Sequence, residues 1–169
     1  MNPNELPNPA LRFDEQKVEV LLGQCIWGEA RGECGDSRLG VGNVVKNRVR
    51  SGIFPGGHDW KRIILAPLQF SCFNPSDPNR LKMAYPTDPR WGNEKTWEEC
   101  YKLACEVLDG RTKDNTENST FYHSFKDPHD PRVSWANHPR YEYVLTIGAL
   151  HFFRDTWTRM VQAETPDDS

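Results

Sequence analysis

The sequence predicts an α+β fold, mainly helical, in one domain with a small loop and sheet lobe. Three observations predict it. Segments 14–30, 36–50 and 94–109 repeat apolar residues at the period of a helix. Segments 119–124 and 141–154 are rich in β-branched and aromatic residues. Ten of the 13 prolines lie in three stretches, 1–9, 74–89 and 128–139, which interrupt the chain between those segments. A length of 169 residues suits a single core. The expected organisation is an N-terminal extended segment 1–13, a body 14–160 and a frayed polar tail 161–169.

The elements follow in order. Asp14 is the expected N-cap of the first helix, which carries Val18, Leu21, Leu22 and Cys25 at i, i+3, i+4 and i+7. Continuing by four reaches Glu29, about 20° from Val18 around the axis and so within the apolar stripe. The second helix is expected over 36–50, with Val41, Val44, Val45 and Val49 as its stripe and Gly52 as its stop. Gly40 and Gly42 within it predict a close approach of another element. A short helix is expected over 59–65, ending before Pro67. In helix 94–109, Trp97, Cys100, Tyr101, Ala104, Cys105 and Leu108 share one face. Thr96 and Glu99 suit a capping box there, and Gly110 suits the stop. Segment 119–124 is expected as a strand, and 141–154 as a strand followed by a short helix.

Composition narrows the function classes. With a net charge of -3, no nucleic-acid partner held by bulk charge is expected. No stretch is apolar for 18 residues, so no stable membrane insertion is expected. Five cysteines without a CxxC pair resemble neither a disulfide framework nor a zinc ribbon. Residues 1–13 have neither a basic nor an apolar stretch, so synthesis in the cytoplasm without a signal peptide is expected. Nucleotide-loop and serine-hydrolase motifs are missing, and the five histidines form no HExxH.

The chemistry-bearing anomaly is Glu29. A carboxylate belongs on an apolar face only if it is paired or lines a cleft. An apolar setting favours the protonated carboxyl, the form a general acid needs, and glycosidic cleavage requires such an acid. The competing reading is a structural glutamate paired with Arg12, Arg31 or Arg48. Glu33 is a possible second carboxylate, one turn further on if the helix persists. Asp77, Asp88, Asp127 and Asp130 are loop carboxylates that could also reach a cleft. Loop aromatics, Trp91 and Trp135 among them, suit stacking on sugar faces or pinning of loops.

Six blocks occur in order: IWGEARGE (26–33), GVGNVVKNRV (40–49), FP (54–55), QFSCF (69–73), FYH (121–123) and IGALHFF (147–153). Together they resemble the spore-cortex-lytic cell wall hydrolase family, over about residues 18–154. The resemblance implies a lysozyme-like domain that cleaves the MurNAc–GlcNAc β-1,4 bond of peptidoglycan glycan strands, often by lytic transglycosylation, with no cofactor and no metal. It implies Glu29 as the catalytic glutamate. Gln69, Phe70 and Ser71 would form the cleft floor, with Tyr122, His123 and His151 bordering it; the loop aromatic Trp135 is expected, from its place in the chain, to contact substrate too. Asn47 and Arg48 are expected to be structural. The missing signal and wall-binding repeats, and a long 74–92 segment, point to an endolysin-like monomer released through a holin-type exit. The alternatives are a zinc-dependent N-acetylmuramoyl-L-alanine amidase and a non-catalytic wall-binding module.

Overall fold

The computed structural model describes residues 5–157; the expected tail 161–169 lies outside them. Among the described residues, five α-helices and three strands form an α+β fold. The helices are α1 (Val18–Ala30), α2 (Gly35–Ser51), α3 (Trp60–Leu65), α4 (Asn79–Lys82) and α5 (Glu94–Leu108). The strands are β1 (Phe121–His123), β2 (Tyr141–Ile147) and β3 (Leu150–Asp155). They make one antiparallel sheet in the order β1-β3-β2.

α1 is the centre of the core. From Val20 to Gly28 every residue is buried, and α2, α3 and α5 pack around it. The predicted single stripe is therefore corrected: α1 is apolar on all sides because it has neighbours on all sides. Its start is corrected too. Asp14 lies in a separate 3-10 turn, Phe13–Glu15, and α1 begins at Val18. The break comes from Gln16, buried and bonded through its amide to the backbone of Asn8. These bonds hold residues 8–16 in a closed loop that a continuous helix would open.

α2 follows the expected span and ends on Gly52, which has a φ of 70°. The predicted close approach is found at Gly40, where an added Cβ would lie 2.6 Å from the Phe152 ring of β3. α3 is capped by Asp59, which accepts from the Arg62 N–H. α5 is capped by Asn93, whose Oδ1 accepts from the Thr96 N–H at 2.8 Å. The Thr96/Glu99 box does not form, because α5 already starts at Glu94 and Thr96 lies inside it; Glu99 pairs with Arg38 at 2.6 Å. Cys100 and Cys105 are buried in the core, as are Cys25 and Cys72.

The short helix expected within 141–154 is a strand. Gly148, with a φ of 57°, turns the chain so that Ile147 faces Leu150, and β2 and β3 form a hairpin. Phe152 and Phe153 alternate across β3 and serve two clusters: Phe152 joins the helical core, while Phe153 packs with Val133, Ala136 and Trp135. The sheet thus joins the helical body to a smaller lobe.

Candidate active site

Glu29 is where the buried helix reaches the surface. It is half-exposed in the last turn of α1, immediately after nine buried residues. One carboxylate oxygen, Oε1, accepts a hydrogen bond from the Cys72 N–H at 3.2 Å. Cys72 can come this close because residue 28 is glycine: an added Cβ there would lie 2.9 Å from both Cys72 Cβ and Sγ.

None of the three arginines offered as partners forms an ion pair with Glu29 among the described residues. Arg12 pairs with Asp14. Arg31 lies over the Trp27 ring and donates to Asn79 Oδ1. Arg48 is buried; its Nε donates to Thr120 O at 2.7 Å and its Nη1 to Gln69 Oε1 at 3.2 Å. The rings of Phe54, Phe70 and Phe121 surround its guanidinium at 4.8–5.1 Å.

These groups share one electrostatic environment. Burial pulls Arg48 down to about 10, opposed by the nearby Tyr122, Cys25 and Glu29. Burial, followed by the charge of Glu29, pushes the Tyr122 phenol well above its usual range. Tyr122 therefore stays protonated at neutral pH and can donate a hydrogen bond. Burial likewise pushes the Cys72 thiol up, so it is no thiolate nucleophile.

Arg48 binds Gln69 directly, and Glu29 and Tyr122 lie within its electrostatic reach. Phe70 is buried beneath them, and Ser71 is exposed at the start of the 3-10 turn Ser71–Phe73. Glu33 sits elsewhere. α1 stops at Ala30, and the Glu33 carboxylate accepts from the Ala149 N–H at 3.4 Å, at the β2–β3 turn. The helix ends at Ala30, as its span 14–30 predicts, so the condition for a Glu29–Glu33 pair one turn apart is not met. The loop aspartates cap their own turns: Asp77 accepts from Asn79, Asp88 from Arg90, Asp127 from His129 and Asp130 from Arg132. Hydrogen bonds from Arg132 hold the Asp130 carboxyl at about 2.

Trp135 packs in the smaller lobe against Phe121, Tyr141 and Phe153. His123 and His151 are buried and clasp the 125–128 loop. His123 Nδ1 accepts from the Phe125 N–H, which leaves its Nε2 to donate to Pro128 O at 2.8 Å. His151 Nε2 lies 2.7 Å from Phe125 O, and its Nδ1 lies 2.7 Å from Thr146 Oγ1. All four ring nitrogens thus have protein partners.

This clasp has a pH consequence. Burial lowers the His123 imidazole below its ordinary 6.5, so the folded state binds its proton less readily than the unfolded chain. The stability it contributes is present above 6.5 and is lost as pH falls through that value toward the lowered one. We expect Tm to fall between about pH 7.5 and 5.5, and His123→Gln to make that fall shallower.

Among the described residues, no three His, Cys, Asp or Glu side chains gather as a metal-holding group. No helix among them is long and apolar enough to cross a membrane.

Sequence reasoning offered Arg48 only as an ion-pair partner of Glu29 or as a structural bridge; the bridge to Thr120 O is found, but the contact with Gln69 was missed. The signal was present: Arg48 follows Val41 by seven, Val44 by four and Val45 by three, on the apolar stripe of α2. A cation on that face is the same kind of anomaly as a carboxylate on α1.

No curated protein and no solved structure matches the chain. The family model described as Cell Wall Hydrolase matches residues 32–153, well over half of the chain and including Arg48, Gln69 and Tyr122. Glu29 falls three residues before the matched span. The chain belongs to the cell wall hydrolase family.

Proposed function

We propose that this cell wall hydrolase cleaves the MurNAc–GlcNAc β-1,4 bond of peptidoglycan glycan strands, with Glu29 as general acid and then base. The observation that carries the reading is the placement of Glu29. It is a half-exposed carboxyl at the end of a buried helix, held by one backbone N–H and free of any ion pair among the described residues. Glu29 gives its proton to the glycosidic oxygen as the C1–O bond breaks, releasing the GlcNAc C4 hydroxyl. The MurNAc ring carries the developing positive charge. The carboxylate left behind then takes a proton from the attacking hydroxyl.

The attacking group is the MurNAc C6 hydroxyl, which gives a 1,6-anhydro product. Glu33 is engaged at the β2–β3 turn, and the loop aspartates cap their own turns. A route that needs one carboxyl group fits this arrangement better than one that needs two. Tyr122, protonated and close to Glu29, is a donor for the substrate's polar groups, and Gln69 and Ser71 border the same place.

Mass spectrometry of digested, purified sacculi tests both parts. Anhydromuropeptides, lighter by one water than hydrolysed ones, are the expected products. Hydrated reducing ends would refute the internal attack while leaving Glu29 as the acid. Free stem peptides formed by a chelator-sensitive activity would favour the amidase instead.

A further inference from the structure

Arg48 does more than fill a space between helices. It is buried and lies at the junction of three chain segments: its own α2, the Thr120 carbonyl before β1, and Gln69. The contact with Gln69 decides how that amide is oriented. A guanidinium has five N–H donors and no acceptor, so only the amide oxygen can face it. The structure shows this arrangement, with Arg48 Nη1 donating to Gln69 Oε1 at 3.2 Å. The other end of the amide, Nε2, has no acceptor among the described residues, and the Gln69 side chain is half-exposed.

Gln69 is also tied to Glu29 through the chain. Three residues on, the Cys72 N–H binds Glu29 Oε1. The segment 69–72 is therefore held at one end by the buried cation and at the other by the candidate acid. Its backbone cannot swing away without breaking one of these contacts. The three phenyl rings around the guanidinium prevent Arg48 from turning to another acceptor.

We infer that Arg48 is a positioning residue that locks the Gln69 amide, leaving Nε2–H2 free on the segment tied to Glu29 as a donor for the acetamido carbonyl of a substrate amino sugar. This rests on the glycan-cleavage reading above. The chemistry narrows the ligand group: a fixed neutral N–H donor suits a neutral carbonyl acceptor, and the acetamido carbonyl is the one present on every sugar of the strand, whereas the lactyl carbonyl is on MurNAc alone. A freely turning amide would present its oxygen half of the time and repel that carbonyl.

The test uses the whole chain on soluble glycan strands, with thermal unfolding as a check on folding. Gln69→Glu keeps an acceptor for Arg48 and improves it, but loses the donor. Gln69→Met loses both without adding charge. Both are expected to lower kcat/KM about tenfold, with Gln69→Glu unfolding no earlier than wild type. Arg48→Lys is expected to lower kcat/KM when Gln69 is present and to add little in the Gln69→Met background, because the two act as one unit. Wild type is expected to prefer N-acetylated over de-N-acetylated strands by more than Gln69→Met does. Wild-type activity in Gln69→Glu would show that Gln69 serves only as a partner for Arg48, and would overturn the inference. Additive losses from Arg48→Lys and Gln69→Met, or an unchanged acetyl preference in Gln69→Met, would overturn it as well. An inactive wild type would instead refute glycan cleavage itself.

Discussion

Glu29→Gln is expected to lower the rate of glycan cleavage by about 10²–10⁴-fold, the range that a positioned general acid contributes. The substitution is nearly isosteric. The amide oxygen can still accept from the Cys72 N–H, so the contact that holds the side chain survives. What is lost is the proton that the leaving sugar oxygen needs. The fold should be unaffected, because among the described residues no ion pair ties Glu29 to another element, and equal Tm values for the two proteins check this. Release of soluble muropeptides from purified sacculi measures the loss. Lysis at the wild-type rate by Glu29→Gln would remove Glu29 from the acid role.

Phe152→Ala is expected to cost about 3–5 kcal/mol of stability, the range for truncating a fully buried phenylalanine. Phe152 is 0% exposed. Its ring lies against Gly40 of α2 and within 5.9 Å of the Tyr122 ring. No Cβ stands between the helix backbone and the ring, so the cavity left by alanine is bounded by main chain, which cannot collapse into it. A domain of this kind has about 5–15 kcal/mol in all, so the loss is a large share. The urea midpoint should fall in proportion, and activity should drop with it, because Tyr122 loses the surface that supports it.

Much of the fold could be read from the residues, and the reasons differ by element. α2 and α5 have one apolar face each and clear stops, Gly52 and Gly110, so period and stop agreed with the structure. α1 did not show its all-round burial. Helical periodicity reports where apolar residues lie, not how many neighbours a helix has, and Gly23, Gln24 and Gly28 read as neutral although all three are buried. The β2–β3 hairpin was obscured because apolar, β-branched and aromatic residues run together in it. Only Gly148 marks the turn, and its left-handed φ comes from pairing across the hairpin.

The site was legible in part for a related reason. Glu29 stood out because a charge interrupts an apolar pattern, and Arg48 interrupts one in the same way. The relation the structure gives them is not the ion pair that one reading of the sequence offered. It depends on Gln69, Cys72 and Thr120 arriving from distant parts of the chain, which no local spacing records. The reverse holds for Glu33, whose spacing from Glu29 suggested a pair that the end of α1 prevents. His123 and His151 show a further limit: a histidine among aromatics looks functional in sequence, whereas here the ring nitrogens hold a loop.

The strand order carries a consequence for synthesis. β3 follows both of its neighbours in the chain yet lies between them in the sheet. β1 and β2 therefore have nothing to pair with until β3 has left the ribosome. Phe152, which supports Tyr122, arrives with that same strand. During translation the helices can form early, but the support of Tyr122 near Glu29 is incomplete until residues 150–155 are in place. A refolding chain should therefore regain activity no sooner than it regains its sheet.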